Sequence, residues 1–116
     1  MSDGTTTVSD LKQLVQRFVA ERQWQPFHDS KNLSASIAIE AAELMEHFQW
    51  LRTDQLEQVR NDPQKMQAIA EELADILAYV LSFAQRMEID LSTALADKMH
   101  KNAAKYPSDR FQGRFA

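Results

Sequence analysis

No cysteine occurs anywhere in the 116 residues, which excludes disulfides, zinc–thiolate sites and cysteine nucleophiles. Glycine and proline are nearly as scarce, with two and three residues, and each lies where a helix would begin or end. So few chain breakers predict an almost wholly helical chain. No apolar run approaches the ~20 residues of a membrane span, and the polar start MSDGTTT is unlike a signal peptide. Basic residues are outnumbered, 13 against 17 acidic ones, for a net charge of −4, which argues against a nucleic-acid partner. Neither an internal repeat nor a low-complexity segment interrupts the chain. The expectation is a single all-α domain over residues 1–116 of a soluble, cytoplasmic protein, its 44% apolar content sufficient for one core.

What is present centres on Ser34 to Leu51, SASIAIEAAELMEHFQWL. At about 100° per residue, Leu33, Ile37, Ala41, Leu44, Phe48 and Leu51 fall on one stripe. Ile39, Ala42 and Met45 cover most of the other side, which predicts a helix buried nearly all round at the centre of a bundle. Glu40 and Glu43 sit one turn apart on the flank of the stripe. A carboxylate in a dry interior costs several kcal/mol, roughly, unless it is paired or binds a metal.

Around this helix the chain divides readily. Thr7 or Ser9 can cap a first helix running to about Arg22, with Asp10 in its first turn. Gln23 to Lys31 reads as a loop rich in aromatics, including Trp24, Phe27 and His28. Such rings either lid the core or line a pocket for something flat. After the central helix, predicted to end near Trp50 and Leu51, Thr53 can cap a short helix over residues 54–59. Pro63 opens a long one, to Met87. Asp90 or Ser92 caps a last helix from Leu91 to about Lys105. The tail beyond Pro107 shows no helical period, and residues 1–7 and 108–116 are expected to be flexible or, through Phe111 and Phe115, to pack on a neighbour.

The long helix carries a second acid pair, Glu72 and Asp75, with Tyr79 four residues further along the same ridge. A single acidic pair at this spacing is ordinarily a solvated helix face. Two pairs on the two most apolar helices bring four carboxylates together if those helices pack, and like charges so close raise each other's pKa. A hard divalent cation resolves this. Mg²⁺ suits a few carboxylates plus waters and phosphates, and Mn²⁺ can substitute. Zinc would bring His or Cys, and di-iron bundles use Glu-x-x-His, where this chain has Glu and Asp. On the last helix Lys98 and Asn102 share a face, with Tyr106 one turn on. An ammonium, an amide and a phenol there suit phosphate oxygens and a sugar hydroxyl, although a solvated lysine-rich helix end has the same pattern.

Glu40-Ala-Ala-Glu43, followed after 28 residues by Glu72-Leu-Ala-Asp75, resembles the ExxE…ExxD signature of the all-α nucleoside triphosphate pyrophosphatases, the MazG-like superfamily. Its dCTP pyrophosphatase branch is the closer match, on Glu21-Arg22-Gln23-Trp24, Phe27-His28, Phe48-Gln49-Trp50, Tyr79 and Lys98-Met99…Asn102…Tyr106-Pro107. The likeness covers about residues 8–107. It implies a four-helix-bundle-like domain assembling into a homo-oligomer, a tetramer or a dimer, with sites near subunit boundaries. It also implies hydrolysis of a (deoxy)nucleoside triphosphate, dCTP or a modified pyrimidine nucleotide, between the α and β phosphates. Glu40, Glu43, Glu72 and Asp75 would hold Mg²⁺, with Glu43 orienting the attacking water. Lys98 and Asn102 would contact phosphates or sugar, and Trp24, Trp50 and Tyr79, with His28 and Tyr106 nearby, would form the base pocket. The chain departs from members that carry His in the first helix, since Val15 aligns there. The competing readings are a non-catalytic helical oligomer or metal-binding adaptor, and a pyrophosphatase for dUTP, an oxidised nucleotide or phosphoribosyl-ATP.

Overall fold

A computed structural model describes residues 1–113; Phe115, and with it any packing of that ring on a neighbour, lies outside the described residues. The regular elements among these residues are all helices, with no strand among them. In order come α1 (Val8–Glu21), a 3-10 turn (Gln25–Phe27), α2 (Ser30–Glu46), a second 3-10 turn (Thr53–Gln55), α3 (Leu56–Arg60), α4 (Pro63–Arg86), α5 (Leu91–Lys105) and α6 (Ser108–Phe111). None of the helices described is long and apolar enough to cross a membrane.

Most boundaries follow local chemistry. The Thr7 hydroxyl accepts from the Asp10 N–H, and the Asp10 carboxylate accepts from the Thr7 N–H, at 3.0 Å each. This reciprocal pair satisfies two otherwise orphaned donors. Asp62 accepts from Gln64 and Lys65 N–H ahead of Pro63 at the first helical position, and Asp90 caps α5 through Thr93 N–H. With little glycine available, α1 and α4 end on left-handed Gln23 (φ 53°) and Glu88 (φ 55°). In both cases the next N–H reaches back five residues, Trp24 to Val19 O and Ile89 to Ala84 O, which closes the last turn.

Four features depart from the sequence expectation. Asp29 caps α2 by accepting from Asn32 N–H at 2.7 Å, so the helix starts at Ser30, inside the expected loop. It ends at Glu46, with His47 to Trp50 in turns in which the His47, Phe48 and Gln49 N–H groups bond Leu44 and Met45 carbonyls. Phe48, Gln49 and Trp50 therefore leave the helix. The second 3-10 turn is preceded not by Thr53 but by Arg52, whose N–H donates to Gln55 Oε1. Finally, the stretch after Pro107 turns into α6, and Phe111 packs edge-on to Tyr106 at 5.2 Å between ring centres.

The most extensive packing joins α2 to α4, with α1 and α3 also against α4. Glu40 lies near Glu72 while His28, before α2, lies near Tyr79, so the two long helices run antiparallel. The core is small: Val19, Leu33, Val59, Leu81 and Ala84. The expected all-round burial of α2 is not found. Ile39 is 58% and Met45 57% exposed, because α4 covers one side only. α5 makes no comparable contact with any other helix and buries no residue.

Candidate functional site

Antiparallel packing turns two local spacings into one cluster. Glu40 and Glu43 project from α2 and Glu72 from α4 so that one carboxylate oxygen from each lies within 4.8 Å of the others. Asp75, one turn beyond Glu72, stays outside this trio and solvent-exposed, although its negative charge reaches Glu40. Glu40 Oε2 and Glu72 Oε2 are buried without a hydrogen-bond partner. Neither lysine nor arginine forms an ion pair with the cluster among the described residues. Burial, then the adjoining Glu43 carboxyl, then Glu72 and the Asp75 charge push Glu40 up to about 7 from 4.5.

Orphaned, crowded oxygens of this kind fit a divalent cation. The donor set is all oxygen, with no nitrogen or sulfur, and so favours a hard ion over zinc or copper. Without a cation, the raised Glu40 pKa has a thermodynamic consequence. The folded state holds a proton that the unfolded carboxyl releases near 4.5, so the associated stability is complete below that value and is lost as pH rises through about 7. In chelator, the thermal midpoint should therefore fall as pH is raised from about 5 to about 8, and Glu40→Gln should flatten that slope. Equal slopes in the two proteins would remove Glu40 as the responsible group.

The aromatic loop forms a continuous row leading to the same helix. Arg22 lies over the Phe18 ring at 3.7 Å, and Phe18 meets Trp24 edge-on at 5.7 Å. Trp24 sits 6.4 Å from His28, and His28 sits 6.3 Å from Tyr79. Trp24, His28 and Tyr79 are thus brought together, and Tyr79 lies one turn along α4 from Asp75. The His28 Nδ1 atom is buried without a partner.

The remaining expected residues do not join them within this chain. Trp50, in the turn after α2, is 86% exposed. Lys98, Asn102 and Tyr106 lie on or just after α5, which stands apart from α2 and α4. Tyr106 instead packs on Phe111, under the Lys105 ammonium. One link missed in the sequence is Lys12, whose Nζ donates to Ile89 O at 2.7 Å and ties α1 to the α4–α5 connection. No spacing rule announces a lysine-to-carbonyl bond across 77 residues.

Comparison with known proteins bears on this geometry. The model of the MazG-like family matches residues 35–114. The chain is 38% identical over 101 residues to "dCTP pyrophosphatase 1" of Bos taurus and 36% identical over 102 residues to that of Homo sapiens. These alignments take in 87% and 88% of this chain, and the chain spans 60% of the length of each relative. Among solved structures, a pyrophosphatase from Archaeoglobus fulgidus is 35% identical and superposes with a TM-score of 0.79 over 92% of this chain and 98% of its own.

Proposed function

Since the chain belongs to the MazG-like family, we propose that it hydrolyses a (deoxy)nucleoside triphosphate, dCTP or a modified pyrimidine nucleotide, to monophosphate and pyrophosphate. The observation that carries this reading is the Glu40, Glu43 and Glu72 trio with its two unpartnered buried oxygens. The relatives named for dCTP pyrophosphatase support the substrate class.

Glu40, Glu43 and Glu72, with Asp75 beside them, would hold Mg²⁺, or Mn²⁺ in its place. When bound, such an ion supplies positive charge against the phosphates and Lewis acidity at phosphorus. Glu43 orients a water for in-line attack at the α phosphorus and takes its proton. The new phosphorus–oxygen bond forms as the bond to the β phosphate breaks, and pyrophosphate leaves. Trp24, Tyr79 and Trp50 offer faces for the base, since stacking accepts any base and leaves the choice to edge contacts. Lys98 and Asn102 suit phosphate and sugar. With α5 standing off from α2 and α4, they reach the acids only where two chains meet, so the active form is a homo-oligomer, a tetramer or a dimer.

A pyrophosphate-release panel tests the proposal, using canonical NTPs and dNTPs plus 5-modified dCTPs, each with Mg²⁺ and with chelator. The expected result is pyrophosphate rather than orthophosphate, from one favoured nucleotide, abolished by chelator. Silence across the panel would leave phosphoribosyl-ATP as substrate or a non-catalytic oligomer of the same fold.

A further inference from the structure

Beside the aromatic row, α1 and the C-terminal half of α4 enclose a cleft of about 290 Å³. We propose that this cleft seats the nucleobase and that the side-chain amides of Gln16 and Gln85 read its hydrogen-bonding edge. They would then be the specificity-determining residues of the nucleotide site. The inference rests on the nucleotide reading above and adds residues that neither the motif nor the acid cluster identifies.

Position is the first argument. Helix α4 is a ruler of about 1.5 Å per residue. The cleft begins at Ser82, about 15 Å along it from Glu72 and about 10 Å from Asp75. Tyr79 stands between, and His28 belongs to both regions, packing toward Tyr79 on one side and lining the cleft on the other. A nucleotide with its phosphates at the acids and its base running past Tyr79 would reach the cleft.

The lining chemistry is the second. Val15 and Val19 supply an apolar wall, while Gln16, Gln25, Ser82 and Gln85 place amides and a hydroxyl around it. Each amide offers both a donor and an acceptor, which is what discrimination between base edges requires. The side chains of Gln16, Gln25 and Gln85 make no hydrogen bond among the described residues, so they stay uncommitted. Size is the third. At the lower end of ligand pockets, which run from ~300 Å³ upward, the cleft takes a base and leaves the triphosphate outside. The charged groups of the lining are mixed, Lys12 engaged with Ile89 O and Arg86 offset by the Glu88 carboxylate, so the cleft is not the uniformly basic cradle that a triphosphate would need.

The test pairs binding without phosphate to turnover with it. Gln16 and Gln85 are exposed helix positions, so Gln16→Leu and Gln85→Leu leave the core untouched. The four deoxynucleosides are titrated in chelator while the glutamine side-chain ¹⁵N amide resonances, assigned by their loss in each variant, are followed. The expected result is that one deoxynucleoside shifts both resonances and binds about tenfold more weakly to either variant, the loss of roughly one hydrogen bond. The base preference in kcat/KM narrows by a similar factor. Shifts absent for all four, or produced by pyrophosphate instead, would overturn the inference. Turnover whose base ranking is unchanged in both variants would also sink it while leaving the hydrolysis standing. Nucleoside shifts at Gln16 and Gln85 without turnover of any nucleotide would uphold the base site and remove the hydrolysis.

Discussion

Glu43→Gln should lower kcat by roughly 10²–10⁴-fold, the range lost with a positioned general base, while the far-ultraviolet circular dichroism stays helical. The glutamine keeps the shape of the side chain but can neither accept the water's proton nor carry charge for a cation. Folding should not suffer, because the substitution removes one of several negative charges crowded around Glu40. In chelator the variant's thermal midpoint should equal or exceed that of the wild type. Added Mg²⁺ separates Glu43's two roles, since a ligand that binds only the folded state raises the midpoint by mass action. If Glu43 binds the cation, that rise shrinks in the variant; if it serves as base alone, the rise persists and only kcat falls. Asp75→Asn should likewise abolish turnover with the fold intact, by uncoupling the acid that completes the α4 ridge. Near wild-type rates in either variant would mean that the metal site is misplaced.

Leu95→Glu combined with Met99→Glu should dissociate the assembly into single chains and remove most activity at once. The reason lies in surface that one chain leaves open. The solvent-accessible area is 9393 Å², against about 6,400 Å² for a compact monomer of this size. The radius of gyration is 17.3 Å, against about 13 Å for a compact chain of this length. An excess of about 3,000 Å² is several times the ~800 Å² each partner buries in a standard interface. Leu95 at 63%, Met99 at 51%, Leu73 at 57% and Leu77 at 45% exposure supply apolar surface for burial. Fully burying a side chain such as Leu or Met contributes about 1.5–3 kcal/mol, and a glutamate there reverses the sign. Light scattering at micromolar concentration reads the assembly state. Activity should fall with it if, as proposed, Lys98 and Asn102, which share α5 with the two substituted residues, meet the acids of another chain. A monomeric wild type, or a double variant that keeps both assembly and rate, would defeat this account.

Local chemistry written along the chain accounts for much of the fold. Caps at Thr7, Asp62 and Asp90 are short-range hydrogen bonds between residues two or three apart, so their placement needs no tertiary information. The end of α2 was not legible because no glycine or proline marks it; the helix unwinds through turn bonds at Phe48 and Gln49, which any sequence can make. Its start is written locally: Asp29 stands three residues ahead of Asn32 in the pattern of a cap. The burial of α2 misled for a different reason. Apolar content reports what can be covered, and one chain supplies only α4 as cover.

The sequence by itself determined that the chain is helical, where most helices begin, and that acids recur one turn apart on each of two long helices. Periodicity is a property of single helices, and the ExxE…ExxD pattern is written in it. Only the tertiary structure decided that Glu40, Glu43 and Glu72 converge while Asp75 stands outside, that Trp24 and His28 lead to Tyr79, that α5 stands apart from α2 and α4, and that Trp50 is exposed. The same packing encloses the cleft beside Gln16 and Gln85, residues with no motif of their own. Which residues meet across helices depends on crossing geometry and on which surfaces pair, and neither is encoded in the spacing along one helix.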